Sequence, residues 1–223
     1  MQIRYLQQKK TVAKPTVPPN NSIVLIVGLG NPGVEYENTR HNAGAWLVNQ
    51  LAAQHAQTLR VENKFFGLVG SINFTEHKCH LLLPTTFMNN SGQAVAALAK
   101  FYKIPMESTL VIHDELDIPT GQARLQFGRG QAGHNGLRDI IKQLGTKNFY
   151  RLRIGISRPQ HSTDISSYVL KRPSVSERCA IDNIIHQTLS IMPDIITGRI
   201  EQAMQTLHTA QKTKVTNTFL DDR

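Results

Sequence analysis

Hydrophobic positions fall into two periods along the chain. From Ile23 to Leu29 they run almost without interruption and are rich in β-branched residues, the pattern of a strand buried on both faces and placed at the centre of a sheet. From Asn42 onward the period becomes helical, with Ala43, Trp46, Leu47, Leu51 and Ala52 on one face and Asn42 suited to cap the first turn. Phe65 to Phe74 and Cys79 to Leu83 read as two strands joined across Glu76-His77-Lys78. Asn90, with Gln93 three residues later, opens a helix to Tyr102 in the manner of a capping box. Leu110 to His113, Ala123 to Phe127 and Leu152 to Ile156 read as short strands, and Leu137 to Leu144 as a helix. After Pro159 the pattern turns polar until two helices, Val175 to Leu189 and Asp194 to Ala210.

Strands alternating with helices predict an α/β fold: a single-domain three-layer sandwich with a twisted, mixed, largely parallel central sheet flanked by helices. A length of 223 residues suits one hydrophobic centre. Residues 1–21, with Pro15, Pro18, Pro19 and no periodicity, read as a flexible basic arm, 22–210 as the α/β domain and 211–223 as a frayed tail. No apolar run approaches the roughly 18 to 20 residues needed to cross a bilayer, so a soluble, cytoplasmic protein is expected. Two cysteines, Cys79 and Cys179, give no disulfide framework and fit a reducing compartment. The formal net charge of +9 favours an anionic partner, although Arg4, Lys9, Lys10 and Lys14 of the arm supply four of those charges.

Two constellations carry candidate chemistry. Gly28-Leu29-Gly30-Asn31-Pro32-Gly33 follows a strand and matches the G-x-G-x-x-G dinucleotide pattern. Pro32 and the next several residues separate that turn from its helix, however, and Val48 to Leu51 stand where the ribose-binding acid belongs. The second constellation is a set of polar residues at the ends of strands: Asn31, Met88-Asn89, Asp114 and His134-Asn135. Loops at the carboxyl ends of the strands of an open α/β sheet share one edge, where these residues can converge. Each is also a residue type that favours turns and caps for local reasons. His41 suits a general base, with Asp114 as the carboxylate that fixes its tautomer, while alternation points Glu115 the other way. No G-x-S-x-G elbow occurs, neither cysteine has an activating setting, and strand alternation splits His77-Lys78-Cys79-His80 between two faces, so no metal site is expected.

Five stretches, Gly28 to Gly33 with Tyr36, Thr39 to Gly44, Pro84 to Asn89 with Ser91-Gly92, His113 to Asp117, and Gly133 to Leu137, together resemble the bacterial peptidyl-tRNA hydrolases. The resemblance covers about Ile23 to Leu207. It implies hydrolysis of the ester between a peptide and the tRNA 3′ ribose, by a monomeric enzyme without metal or other cofactor and with peptidyl-tRNA as partner. It implies His41 as the base that activates water, Asp114 as its orienting carboxylate, and Asn31 and Asn89 as contacts near the scissile ester. Asn135 would position peptide or water, and Tyr36 and Met88 would line the groove. The sequence departs from the family pattern on the tRNA side. Arg129 and Ala132 interrupt the glycine loop, Gln126 stands where a lysine is usual, and Gln160 to Asp164 lacks a lysine. Arg124, Arg129, Arg151, Arg153 or Lys171-Arg172 are the remaining candidates for tRNA phosphate.

Overall fold

The structure is a computed structural model that describes residues 22–74, 76–159 and 164–207. The arm at 1–21, the tail at 211–223 and Gln160 to Thr163 lie outside the described residues. Among the described residues there are seven strands: β1 (Leu25–Gly28), β2 (Arg60–Glu62), β3 (Gly67–Phe74), β4 (His77–Pro84), β5 (Thr109–Glu115), β6 (Ala123–Phe127) and β7 (Tyr150–Gly155). They are accompanied by the helices α1 (Ala43–Gln54), α2 (Ser91–Tyr102), α3 (Asn135–Leu144), α4 (Ile165–Val169) and α5 (Val175–Ile196).

The strands form one sheet in the order β2-β3-β4-β1-β5-β7-β6, with β1 in the middle and fully buried, as its continuous apolar run demands. β4, β1, β5 and β7 are mutually parallel. The β3–β4 hairpin with β2 on one flank, and β6 on the other, are antiparallel. Alternate residues of β1 feed two cores. Ile26 packs with α1 and α5 on one face, and Leu25 and Val27 pack with α2 and α3 on the other, which makes the three layers. Close approach of α1 depends on Gly44: a Cβ there would lie 2.1 Å from the Ile112 carbonyl oxygen. At that separation the Ala45 amide donates to the Leu29 carbonyl at 3.0 Å, fixing the helix start against the end of β1.

Several local readings are corrected. The hairpin turns before His77, because His77 and Lys78 already pair with Phe74 and Asn73. β2 and α4 were not anticipated, being three and five residues long and too short to show a period. The last helix of the sequence reading is divided differently. α5 continues through Pro193 to Ile196, its buried face (Ile184, Ile185, Leu189, Ile191, Met192, Ile195 and Ile196) outweighing the lost backbone donor, and a further helical stretch covers 200–207. Neither expected asparagine cap forms. Asn42 and Asn90 occupy the N-cap positions of α1 and α2, but their side chains make no capping bond. The free amide of Gly92 in α2 is instead satisfied by Asp139 of α3, whose Oδ2 accepts it at 2.8 Å.

Candidate active site

Parallel β4, β1 and β5 open their carboxyl ends to one edge, so the chain leaves them there at Pro84, Gly28 and Glu115. The turn after β1 is fixed by Asn42, whose side-chain amide accepts from the Asn31 N–H and donates to the Asn31 carbonyl, both at 2.9 Å. This two-bonded clasp explains why Asn42 does not cap its own helix. The Asn31 side-chain oxygen in turn accepts from the Met88 amide at 2.7 Å, which ties the first loop to the one after β4. With that oxygen engaged, the donor side of the Asn31 amide is the part available to a ligand.

His41 lies in the 3-10 turn Arg40–Asn42 just ahead of α1 and is buried. Its Nδ1 is 2.9 Å from Oδ1 of Asp114, in the buried β5. The same carboxylate oxygen is 3.0 Å from Nε2 of His134. His134 is also the N-cap of α3, its Nδ1 accepting from the Leu137 amide at 3.4 Å, so its proton sits on Nε2 and is donated to Asp114. One carboxylate therefore holds two imidazoles. The Nδ1–H of His41 points at Asp114, which leaves the lone pair of its Nε2 as the proton acceptor.

The electrostatics follow from that arrangement. Burial pushes the Asp114 carboxyl up, but the two histidines beside it more than offset this and hold it well below the usual carboxylate range. Burial lowers the His41 pKa, yet the charge and hydrogen bond of Asp114 outweigh it and the net shift is upward from 6.5. His113, the neighbour of Asp114, goes the other way. It is wholly buried, with Nδ1 donating to the Asp114 carbonyl at 2.7 Å, and burial followed by the nearby His134 ring keeps it neutral.

Asn31, Tyr36, Met88, Asn89 and Asn135 line the same groove as His41 and Asp114, a cavity of about 480 Å³. Tyr36 and Phe87 meet edge to face at 6.2 Å on one side, and Ile165, Val169 and Leu170 of the α4 region give a further apolar wall. Every expected catalytic and substrate-contact residue is thus brought to one place. His134 reaches it by an unexpected route. β6 runs antiparallel to β7, so Phe127, its last residue, pairs with Tyr150 at the opposite edge, and the glycine loop must travel back across the sheet. Arg151, 2% exposed, pins that loop by donating to the carbonyls of Arg129 (2.7 Å) and Gly130 (2.5 Å). Within the loop Arg129 and Ala132 take positive φ values of 74° and 46°, a conformation that favours glycine.

Among the basic candidates, Arg124 is exposed and faces Arg153 across the β6–β7 ladder. Arg153 donates to Glu115 at 2.9 Å and to Gln126 at 3.1 Å, and with Arg129 it lines a second cavity of about 310 Å³ beside the groove. Arg151 is committed to the loop carbonyls. Among the described residues one group offers ligands to a metal ion, His41, Asp114 and His134, with the ligand atoms within 4.8 Å of one another. In this structure those atoms pair with one another, Asp114 Oδ1 lying 2.9 Å from His41 Nδ1 and 3.0 Å from His134 Nε2.

The sequence reading missed the second imidazole on Asp114, the Asn42 clasp and the Arg151 pin. His134 stood in the polar constellation expected to converge at one sheet edge, but with no tie to Asp114, and nothing local marked the other two.

The family model described as Peptidyl-tRNA hydrolase matches residues 25–216. A peptidyl-tRNA hydrolase of Methylococcus capsulatus is 55% identical over 184 residues, covering 82% of this chain and 98% of its own length. One from Neisseria meningitidis is 50% identical over 189 residues, covering 85% and 98%. The crystal structure of peptidyl-tRNA hydrolase from Acinetobacter baumannii superposes with a TM-score of 0.81 at 46% identity, covering 84% of this chain and 95% of that one.

Proposed function

The chain belongs to the peptidyl-tRNA hydrolase family, and from that premise we propose that it cleaves the peptide–tRNA ester with a water activated by His41, without a covalent intermediate. The observation that carries this reading is the Asp114 oxygen 2.9 Å from His41 Nδ1, which turns the basic Nε2 away from the carboxylate. Water gives its proton to Nε2 as its oxygen attacks the ester carbon. Negative charge gathers on the former carbonyl oxygen, where the amide donors of Asn31 and Asn89 stabilise it; single donors of this kind contribute roughly 3 to 4 kcal/mol in other enzymes. The tetrahedral species then collapses. His41 returns the proton to the departing ribose oxygen, so the products are a peptide carboxylic acid and a tRNA with a free hydroxyl. Asp114 stays ionised throughout and stabilises the transient imidazolium.

Tyr36 and Met88 form the groove wall for the peptide, Asn135 positions peptide or water, and Arg124, Arg129 and Arg153 are the phosphate contacts on the tRNA side. The enzyme acts as a cytoplasmic monomer. Among the described residues no helix is long and apolar enough to cross a membrane. Incubation of the purified protein with an N-blocked peptidyl-tRNA tests the reading: peptide and tRNA are released with multiple turnovers. Binding that weakens with salt but yields no turnover would identify a non-catalytic RNA-binding protein instead.

A further inference from the structure

Arg40 sits immediately before His41, yet its side chain turns away from the groove and does other work. It is 7% exposed, and its guanidinium is spent on one region. Nη1 donates to the carbonyls of Tyr168 (3.3 Å), Lys171 (3.2 Å) and Arg172 (3.1 Å), the carbonyls at and just beyond the C-terminal end of α4. Nη2 pairs with Glu177 at 2.8 Å, and the same Glu177 oxygen accepts from the Ser174 amide in the capping box that opens α5. The plane of the guanidinium lies over the Tyr168 ring at 4.3 Å, and the Arg40 backbone amide donates to the Lys171 carbonyl at 3.2 Å.

α4 has only five residues, too few to be stable alone, so its position depends on such ties. Its Ile165 and Val169, with Leu170, form an apolar wall of the groove. We propose that Arg40 is a positioning residue that sets the distance between this wall and His41, and thereby the fit of bulky apolar side chains of the bound peptide. Two neighbours in sequence thus divide two tasks. His41 is oriented separately by Asp114, so loss of the Arg40 ties leaves the chemical step in place while the wall loosens. Lysine does not replace arginine here, because one ammonium cannot span three carbonyls, a carboxylate and a ring face at once.

This inference rests on the hydrolase reading, and two readouts keep their failures apart. The first needs no substrate. The amides of Tyr168, Leu170 and Lys171 are hydrogen-bonded within the α4 region, and in Arg40→Lys their hydrogen exchange should quicken by about tenfold relative to wild type. The second compares peptidyl-tRNAs ending in N-acetyl-phenylalanine and N-acetyl-glycine. For the phenylalanine substrate KM rises about tenfold with kcat within about twofold, while for the glycine substrate both parameters stay within about twofold. Glu177→Gln, which keeps the shape and removes the charge partner, moves the phenylalanine KM the same way by about threefold. Equal KM increases on both substrates, a fall in kcat with a displaced pH profile, or unchanged exchange of the α4 amides would overturn the assignment. Wild-type protein that releases no peptide would instead refute the hydrolase reading and leave the exchange result to judge the tie alone.

Discussion

Replacing Asp114 by asparagine removes one charge and little volume, and its consequences are calculable. In the proposed mechanism the His41 imidazolium of the transition state faces a carboxylate whose oxygen is 2.9 Å from Nδ1. With charge centres about 4 Å apart and an effective dielectric near 20, the attraction is about 4 kcal/mol. Since about 1.4 kcal/mol is tenfold in rate, Asp114→Asn should slow the chemical step by about a thousandfold. The pH profile adds a signed test. As the proposed base His41 acts only when neutral, so activity should rise with pH through its pKa, which is raised from 6.5 in the native site. Without the carboxylate, burial acts unopposed and lowers that pKa, so the acid limb moves to lower pH while the plateau falls. Single-turnover release of peptide from peptidyl-tRNA across this pH range reads both effects. A loss of less than about tenfold, or an acid limb that stays put or moves upward, would refute the role given to Asp114.

Two further outcomes follow from packing and titration. Asp139→Ala leaves the Gly92 amide at the start of α2 without its acceptor and should cost about 1 to 2 kcal/mol in urea unfolding, most of it recovered in Asp139→Asn. His113 and His41 bias the pH dependence of stability in opposite senses. The His113 pKa is held below 6.5, so its contribution is present above 6.5 and is lost as the pH falls, whereas that of His41, raised, is complete below 6.5 and is lost as the pH rises through its folded value. The unfolding free energy of the wild type from urea titrations should therefore peak near pH 6.5 and fall on either side, whereas that of Asp114→Asn, in which burial lowers both histidines, should fall only toward acid, by up to about 2.7 kcal/mol per pH unit for the two groups. A variant slope equal to that of the wild type would contradict the opposing assignments.

The central strand and the larger helices could be read from the sequence because each buries enough residues to impose a period. β2 and α4 could not, since three and five residues hold no period and their places depend on β3 and on the Arg40 ties. Local capping rules failed at Asn42 and Asn90 for a tertiary reason. Asn42 is drawn off to clasp Asn31, and α2 receives its cap from Asp139, 47 residues from the amide it accepts. At the site, His41, Asp114 and the strand-end asparagines were visible because parallel strands bring their carboxyl ends to one edge. That rule does not account for His134, which follows an antiparallel strand and returns across the sheet on a loop held by Arg151.

The central claim is that His41 is the base, and His41→Ala tests it most directly. Measured as single-turnover release of peptide from peptidyl-tRNA at saturating enzyme, the rate should fall by about 10² to 10⁴-fold while the affinity for the tRNA is retained. Release at the wild-type rate would contradict it.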